Sequence, residues 1–314
     1  MAIKANKKAS HTTSEFSSTR APFTFARYSI PHEEHPERNE DTLLVDQQRG
    51  LAAVFDGVGY GPGQVASRLA ARVIRQGWQR TLAPLQSAPA FLDSCNALGL
   101  PTTLQQLVQE ANQQILIQGV RRARIKKQSS EDEDRHPETT AALAVFCRAS
   151  NDAHVYTMTY AHVGDSRIYL LREGQPLRRL TKDDGYFSLL LRKGMISEDD
   201  ALRIDQAISA DELSETERSY FDRRNGITQA LGDGEPTIHV AQIEILPDDR
   251  ILLCTDGIHD NLTDLELEEL LKSGARTTVA KLLAQRAIER SHEDSAVTIR
   301  AKKDDMSAIV ISRL

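Results

Sequence analysis

The period of the apolar positions changes repeatedly along the chain, and each change marks an element. Residues 43–46 and 51–55 are short apolar runs split by Gln47-Gln48-Arg49-Gly50, a hairpin signature. Val65, Leu69, Val73 and Trp78 then recur at helical spacing, as do Leu104, Leu107, Val108, Ala111 and Ile115. These spacings predict two long amphipathic helices, each lying on a sheet. Residues 140–147, 155–163 and 167–172 predict three strands joined by polar turns. Residues 237–245 and 251–255 predict two more, bracketing the turn Pro247-Asp248-Asp249. Thr263, with Glu266 three residues on, is a capping box that opens a helix through Leu267, Leu270 and Leu271. A further helix places Val279, Leu282, Leu283 and Ala287 on one face, and 307–312 closes the chain as an apolar strand.

Strands and helices come in clusters rather than in strict βαβ alternation. That predicts an α+β fold with largely antiparallel sheets, not a doubly wound parallel sheet. Two polar stretches punctuate it: residues 1–20, read as a disordered tail, and 126–138, read as a solvated loop. The charged, helix-prone residues 185–225 interrupt the strand series. About forty residues is long for a connection, which points to a functional flap. The single domain is therefore expected over 21–314.

Composition narrows the function classes. The 314 residues are 40% hydrophobic and 27% charged, enough for one large core. A net charge of −6 gives no nucleic-acid footprint. No apolar run approaches a membrane span, and Lys4, Lys7 and Lys8 lead into Ser/Thr-rich sequence rather than a signal peptide. Cys95, Cys147 and Cys254 lack C-x-x-C spacing and read as reduced, buried thiols. A soluble, cytoplasmic monomer is expected.

The chemistry lies in the aspartates. Glu40-Asp41 precedes one predicted strand, Asp56-Gly57 follows another, and Gly164-Asp165 joins two more. Asp256-Gly257 follows residues 251–255 with Asp260 one turn on, and Asp304-Asp305 precedes the last strand. Each alone reads as an ordinary turn residue. If the strand ends converge, five or six carboxylates meet and repel one another. Hard divalent cations such as Mg²⁺ or Mn²⁺ relieve that repulsion, and two ions about 4 Å apart suit in-line attack of water on phosphorus.

The ordered motifs RNED (38–41), VFDGVG (54–59), TTAALAVF (139–146), AHVGDSRIYLL (161–171), LTKDD (180–184), ITQALGD (227–233), LLCTDGIHDNLTDLEL (252–267) and DDMSAIVI (304–311) resemble the PP2C (PPM) phosphatases. The resemblance runs collinearly over about 22–314. It implies a four-layer αββα sandwich, two antiparallel β-sheets flanked by pairs of helices, with metal ions at one end. It implies that Asp56 bridges two Mg²⁺ or Mn²⁺ ions with the Gly57 carbonyl beside it. Asp256 and Asp305 would hold the first ion, and Glu40 and Asp41 the second, directly or through its waters. A weaker third ion would use Asp165 with Asp256 or Asp260. Asp41, Asp56 and Asp256 carry the catalytic role, and water between the ions is the nucleophile, so no phosphoenzyme is expected. Phosphorylated proteins are the implied substrates and a Ser/Thr kinase the implied counterpart.

The chain departs from the family pattern in places. The arginine expected four residues before Glu40, which binds substrate phosphate, is Pro36; Arg38 and Arg27 are the substitutes on offer. Val58 stands where animal members have a histidine, which points to the bacterial type. Gln229 replaces a usual arginine, and His162 a common asparagine. His259 is expected to pack rather than to ligate or donate protons, His32 and His35 to lie in a solvated loop, and Thr139-Thr140 to be structural. The missing arginine motivates an alternative reading, a catalytically weak module that binds phosphoproteins.

Overall fold

The computed structural model describes residues 22–58, 62–83, 99–126, 136–148 and 155–314. Strands β1 (Phe23–Ile30), β2 (Thr42–Asp46), β3 (Leu51–Phe55) and β4 (Gly57–Val58) precede helices α1 (Gly63–Leu82) and α2 (Leu100–Lys126). Then come β5 (Glu138–Thr139), β6 (Ala141–Arg148), β7 (Tyr156–Val163), β8 (Arg167–Leu171) and β9 (Arg178–Arg179). Three short helices follow, α3 (Tyr186–Arg192), α4 (Glu198–Asp205) and α5 (Glu215–Phe221). The chain ends with β10 (His239–Ile245), β11 (Arg250–Cys254), α6 (Asp256–His259), α7 (Asp264–Ser273), α8 (Val279–Ser291) and β12 (Met306–Arg313).

Two five-stranded antiparallel sheets stack, ordered β1-β12-β11-β8-β9 and β10-β7-β6-β3-β2. Alternating residues of each strand face different layers. Ala52, Val54, Ala144 and Phe146 meet Ile168, Leu253, Ile309 and Ile311 between the sheets. The opposite faces of β3 and β6 (Leu51, Ala53, Phe55, Leu143, Val145) pack on Ala70, Ile74, Trp78, Leu104, Val108 and Ile115 of α1 and α2. Tyr169, Leu252, Ala308 and Val310 pack on Leu267, Leu271, Leu283 and Ala287 of α7 and α8. Four layers result. Helices cover both outer faces, so β3, β6, β8 and β12 are apolar almost without alternation and read as continuous runs.

Most predicted elements are present, with instructive differences. The Thr263–Glu266 capping box forms in both directions at the start of α7. Leu282 is substantially exposed, and Ala280 and Ala284 take the inward positions of α8 instead. The strand expected from 237 begins at His239, because Thr237 is held outside it by Gln229, which donates to its carbonyl at 3.2 Å and accepts from its amide at 2.9 Å. Pro247-Asp248-Asp249 is no hairpin turn: β10 pairs with β7, β11 with β12 and β8, so the turn crosses between sheets. Its Asp249 is gripped by Arg172 through both carboxylate oxygens. Strand β1 escaped the apolar pattern because Arg27 and Ser29 break it. The tail at 1–20, Cys95 and most of 126–138 lie outside the described residues, although Glu138 itself enters β5.

The insert at 185–225 is helical and pinned at its ends and middle. A bridge joins Gly185 to Ile227. Buried Arg167 of β8 binds Asp183 at 2.6 Å and Asp205 of α4 at 3.2 Å, and Arg179 reaches Asp205 at 2.6 Å. Fully buried Arg300 ties the same region to the helix after β11, donating to the carbonyls of Asp205, Ala207 (3.4 Å), His259 (2.6 Å) and Leu262 (3.3 Å). Removing one partner from such a network leaves a buried charge uncompensated. Asp205→Ala is therefore expected to cost about 3–5 kcal/mol in denaturant unfolding, whereas removing an exposed pair such as Lys182–Glu198 should cost under about 1 kcal/mol.

Candidate metal centre

Strand register brings the predicted acidic residues to one end of the sandwich. Thr42 at the start of β2 lies opposite Phe55 at the end of β3, so Asp41 and Asp56 emerge together. Cys254 at the end of β11 lies opposite Arg167 of β8 and Ala308 of β12. Asp165, Asp256 and the residues before Met306 therefore emerge at the same end. Asp256 opens α6, whose next turn carries Asp260.

The supports are short and specific. Thr139 and Thr140 fix the backbone of Asp56: the Thr139 hydroxyl and the Thr140 amide both donate to its carbonyl, at 2.7 and 2.8 Å. Both threonines are thus structural. The Thr255 hydroxyl donates to Asp41 Oδ2 at 2.8 Å. Gly57 must be glycine, because a Cβ there would stand 2.4 Å from the Gly63 carbonyl carbon and 2.8 Å from the Glu40 carbonyl oxygen. Gly257 is equally confined, with the Asp305 carbonyl oxygen 2.1 Å from where its Cβ would be. His259 is buried, its Nε2 paired with the Asp165 carbonyl at 3.1 Å, and burial lowers its pKa to about 3, so it packs as a neutral side chain.

Electrostatically the cluster is under pressure. Burial pushes Asp56 well above the ordinary carboxylate range, and Asp256, Asp41, Asp304 and Asp165 push it further. Asp165 is raised by burial and then by Asp256 and Asp183. Asp41 is raised by burial and by Asp304, against hydrogen bonds from Ser307 and Thr255. Asp256 is raised by burial to about 6 although Lys302 opposes the rise. Asp260 alone lies below the ordinary range: Lys302 and Arg224 outweigh its burial.

The sequence expectation made Asp305 a ligand, and the structure gives Asp304 and Asp305 different partners. Asp305 accepts the amides of His32 (2.6 Å) and Glu40 (2.7 Å), and so ties the loop before β2 to the start of β12. His32 and His35 accordingly sit against Asp305 rather than free in solvent. The charge of Asp304 acts on Asp41, Asp56 and Asp256 alike, and that of Asp305 on Asp41 as well. Glu40 stands at the rim with Arg38 3.8 Å away. Arg27 is exposed on β1. Two cations were missed in the sequence. Lys302 binds Asp256, Asp260 (2.9 Å) and Asp304 (3.0 Å), and Arg224 of the insert lies 3.6 Å from Asp260. A cleft of about 450 Å³ between the insert and Asp165, His259 and Asp260 opens beside them.

The donor set fits hard divalent cations. It is all carboxylate oxygen, Oδ1 of Asp165 and Oδ1 of Asp256 are buried without a hydrogen-bond partner, and four carboxylates are pushed toward protonation. Among the described residues no three side chains already stand as a finished ligand shell; Lys302 gathers Asp256, Asp260 and Asp304 around itself.

A family model described as Protein phosphatase 2C matches residues 31–293. The chain belongs to the protein phosphatase 2C family. Membership makes it a metal-dependent protein phosphatase. Serine/threonine phosphatase stp of Listeria monocytogenes is 28% identical over 288 residues, covering 90% of this chain and 96% of that protein. The crystal structure of Mycobacterium tuberculosis PstP/Ppp superposes with a TM-score of 0.65 at 22% identity, over 93% of this chain and 98% of that one. The catalytic domain of PstP with 2 manganese ions gives 0.61 at 23%, over 92% and 97%. These likenesses bear out the αββα sandwich. No described helix is long and apolar enough to cross a membrane.

The raised carboxylates predict an inverted pH dependence in metal-free protein. A carboxyl whose folded pKa exceeds its unfolded value binds more protons folded than unfolded, so its contribution to stability is greatest below about pH 4 and is lost as pH rises through the folded value. For Asp256 that window runs from about 4 to about 6, and Asp41, Asp56 and Asp165 are raised in the same direction. In EDTA, Tm should fall between pH 5 and pH 8, and saturating Mn²⁺ should remove most of the fall. A metal-free Tm that rises steadily to pH 8 would contradict the cluster's electrostatics.

Proposed function

We propose that the chain hydrolyses phosphoserine and phosphothreonine in proteins at the Asp41–Asp56–Asp256 centre, reversing the work of a Ser/Thr kinase. The observation that carries this reading is the convergence of buried, mutually repelling carboxylates beside an open cleft, within the fold of a phosphatase family. Bound there, two divalent ions supply an activated water and charge neutralisation for the phosphoryl group. The protein's own groups do the rest. Asp56, with both hydrogen-bonding groups of its backbone engaged by Thr139 and Thr140, stands between the Asp41 side and the Asp256 side and is placed to bridge. Asp256 and Asp304 would hold the first ion, and Asp41 with Glu40 the second. We assign Asp304 rather than Asp305 because the charge of Asp304 acts on Asp41, Asp56 and Asp256 alike, whereas Asp305 is tied through both oxygens to the amides of His32 and Glu40. The Gly57 carbonyl joins the set as a backbone donor.

For the substrate phosphate, Arg38 is the better placed of the sequence candidates. Its side chain is 50% exposed, beside Glu40 at the rim, and so is free to move onto an arriving anion. The helical insert forms the far wall of the cleft and is the flap against which the substrate protein would lie.

Turnover of p-nitrophenyl phosphate with Mn²⁺ tests the ligand assignment. Asp56→Asn should lose at least about 10³-fold in kcat/KM, since each 1.4 kcal/mol is tenfold and a bridging ligand is worth several kcal/mol. Asp304→Asn should raise the Mn²⁺ requirement steeply and Asp305→Asn much less; the reverse order would return the role to Asp305. Wild-type protein that binds a phosphopeptide without any Mn²⁺-dependent turnover would favour the phosphoprotein-binding module instead.

With a phosphopeptide substrate, Arg38→Ala should raise KM about tenfold with little change in kcat, the pattern of a lost ground-state contact. An unchanged KM would exclude Arg38 from phosphate binding.

A further inference from the structure

Resting on the two-ion reading above, the environment of Lys302 carries a second conclusion. Its ammonium binds one oxygen each of Asp256, Asp260 and Asp304, at 2.9 Å for Asp260 and 3.0 Å for Asp304. Its side chain is only 20% exposed. The backbone beneath it is fixed from both sides by fully buried Asn261, which accepts from the Lys302 amide at 3.0 Å and donates to the Lys302 carbonyl at 2.8 Å. The same Asn261 amide donates to the carbonyl of Gly257, next to Asp256. Two residues earlier, Arg300 anchors the segment to the carbonyls of His259 and Leu262. This is a built position, not a surface lysine that has fallen onto a carboxylate.

The position is also the outer one. Lys302 touches Asp256, Asp260 and Asp304 and its charge also acts on Asp165, whereas Asp56 and Asp41, raised first by burial, are acted on by other carboxylates. Asp165, with Asp256 or Asp260, is expected to hold a third, weaker ion. Charge agrees with this placement. Asp41, Asp56, Asp165, Asp256, Asp260, Asp304 and Glu40 are seven carboxylates, and two divalent cations leave three negative charges over, one of them at Glu40 beside Arg38. Lys302 and Arg224, which stands 3.6 Å from Asp260, supply two positive ones.

We propose that the Lys302 ammonium is this chain's built-in replacement for a third divalent ion. It holds Asp260 and the outer oxygen of Asp256, so the centre takes two ions and not three. A monovalent point charge with three hydrogen-bond donors matches three carboxylate oxygens. Unlike a bound ion, it cannot be lost by dilution or chelation.

The test is a count of bound Mn²⁺ per chain by equilibrium dialysis at saturating Mn²⁺, on full-length wild type, Lys302→Met and Lys302→Gln, with folding checked by circular dichroism. Wild type is expected to bind two ions and each Lys302 variant one more. That additional ion should disappear in the Lys302→Met/Asp260→Asn double variant. Asp260→Asn in the wild-type background should leave the count at two, a measurement that stands even if the lysine variants fail to fold. Three ions in wild type, equal counts in wild type and the lysine variants, or loss of an ion in Asp260→Asn alone would each overturn the proposal. A wild-type count below two would sink the two-ion reading instead, while the difference between wild type and Lys302→Met would still decide the role of the lysine.

Discussion

Asp41, Asp56, Asp165 and Asp256 are buried so close together that each raises its neighbours' affinity for protons, and such a set stays together only on a rigid support. The sandwich provides it. Antiparallel register delivers five strand ends to one rim, and the supporting contacts come from the backbone or from short hydroxyl side chains with little freedom to lose. Thr139, Thr140 and Thr255 hold carboxylate-bearing backbone or carboxylate oxygen at hydrogen-bond distance. Gly57 and Gly257 let neighbouring chain segments approach where any side chain would collide. The backbone that carries the carboxylates is thus held by the protein's own contacts, which favours electrostatic catalysis.

Much of this was legible in the sequence, for a physical reason. Strands covered on both faces write themselves as apolar runs, and the aspartates that follow them must lie at strand ends. What periodicity could not supply was direction at the single-residue level. Asp304 and Asp305 are adjacent and chemically identical. Only the structure shows that Asp304 acts on Asp41, Asp56 and Asp256, and that Asp305, while it also acts on Asp41, caps the loop at His32 and Glu40. Lys302, Arg224 and Arg300 were hidden for a related reason. A cation in a polar stretch reads as solvated unless its partners are known, and those partners lie tens of residues away. Strand β1 was missed because its edge position lets Arg27 and Ser29 interrupt the apolar pattern.

The helical insert shows how a variable segment can be mounted without becoming loose. Arg167, Arg179 and Arg300 converge on Asp205, through its carboxylate or its carbonyl, and Arg300 also reaches the carbonyls beside the metal-facing helix. The wall of the cleft and the carboxylate centre therefore share one buried guanidinium network. Displacing α4 would disturb the carbonyls around His259, and through them the position of Asp260.

The pairing of β1 with β12 has a consequence for the order in which the molecule can form. Phe23 meets Arg313 and Ile30 meets Met306, so the first described strand waits for nearly the whole chain before it finds its neighbour. β12 also lies in the interior of its sheet, between β1 and β11. Closing so long a loop is entropically slow and gains nothing until the last contacts form. During synthesis the sheet built on β2, β3, β6 and β7 can assemble first, while its partner remains open and Asp304 has yet to emerge. Until β12 is available, the chain can form only half of the sandwich, and the carboxylate centre lacks Asp304.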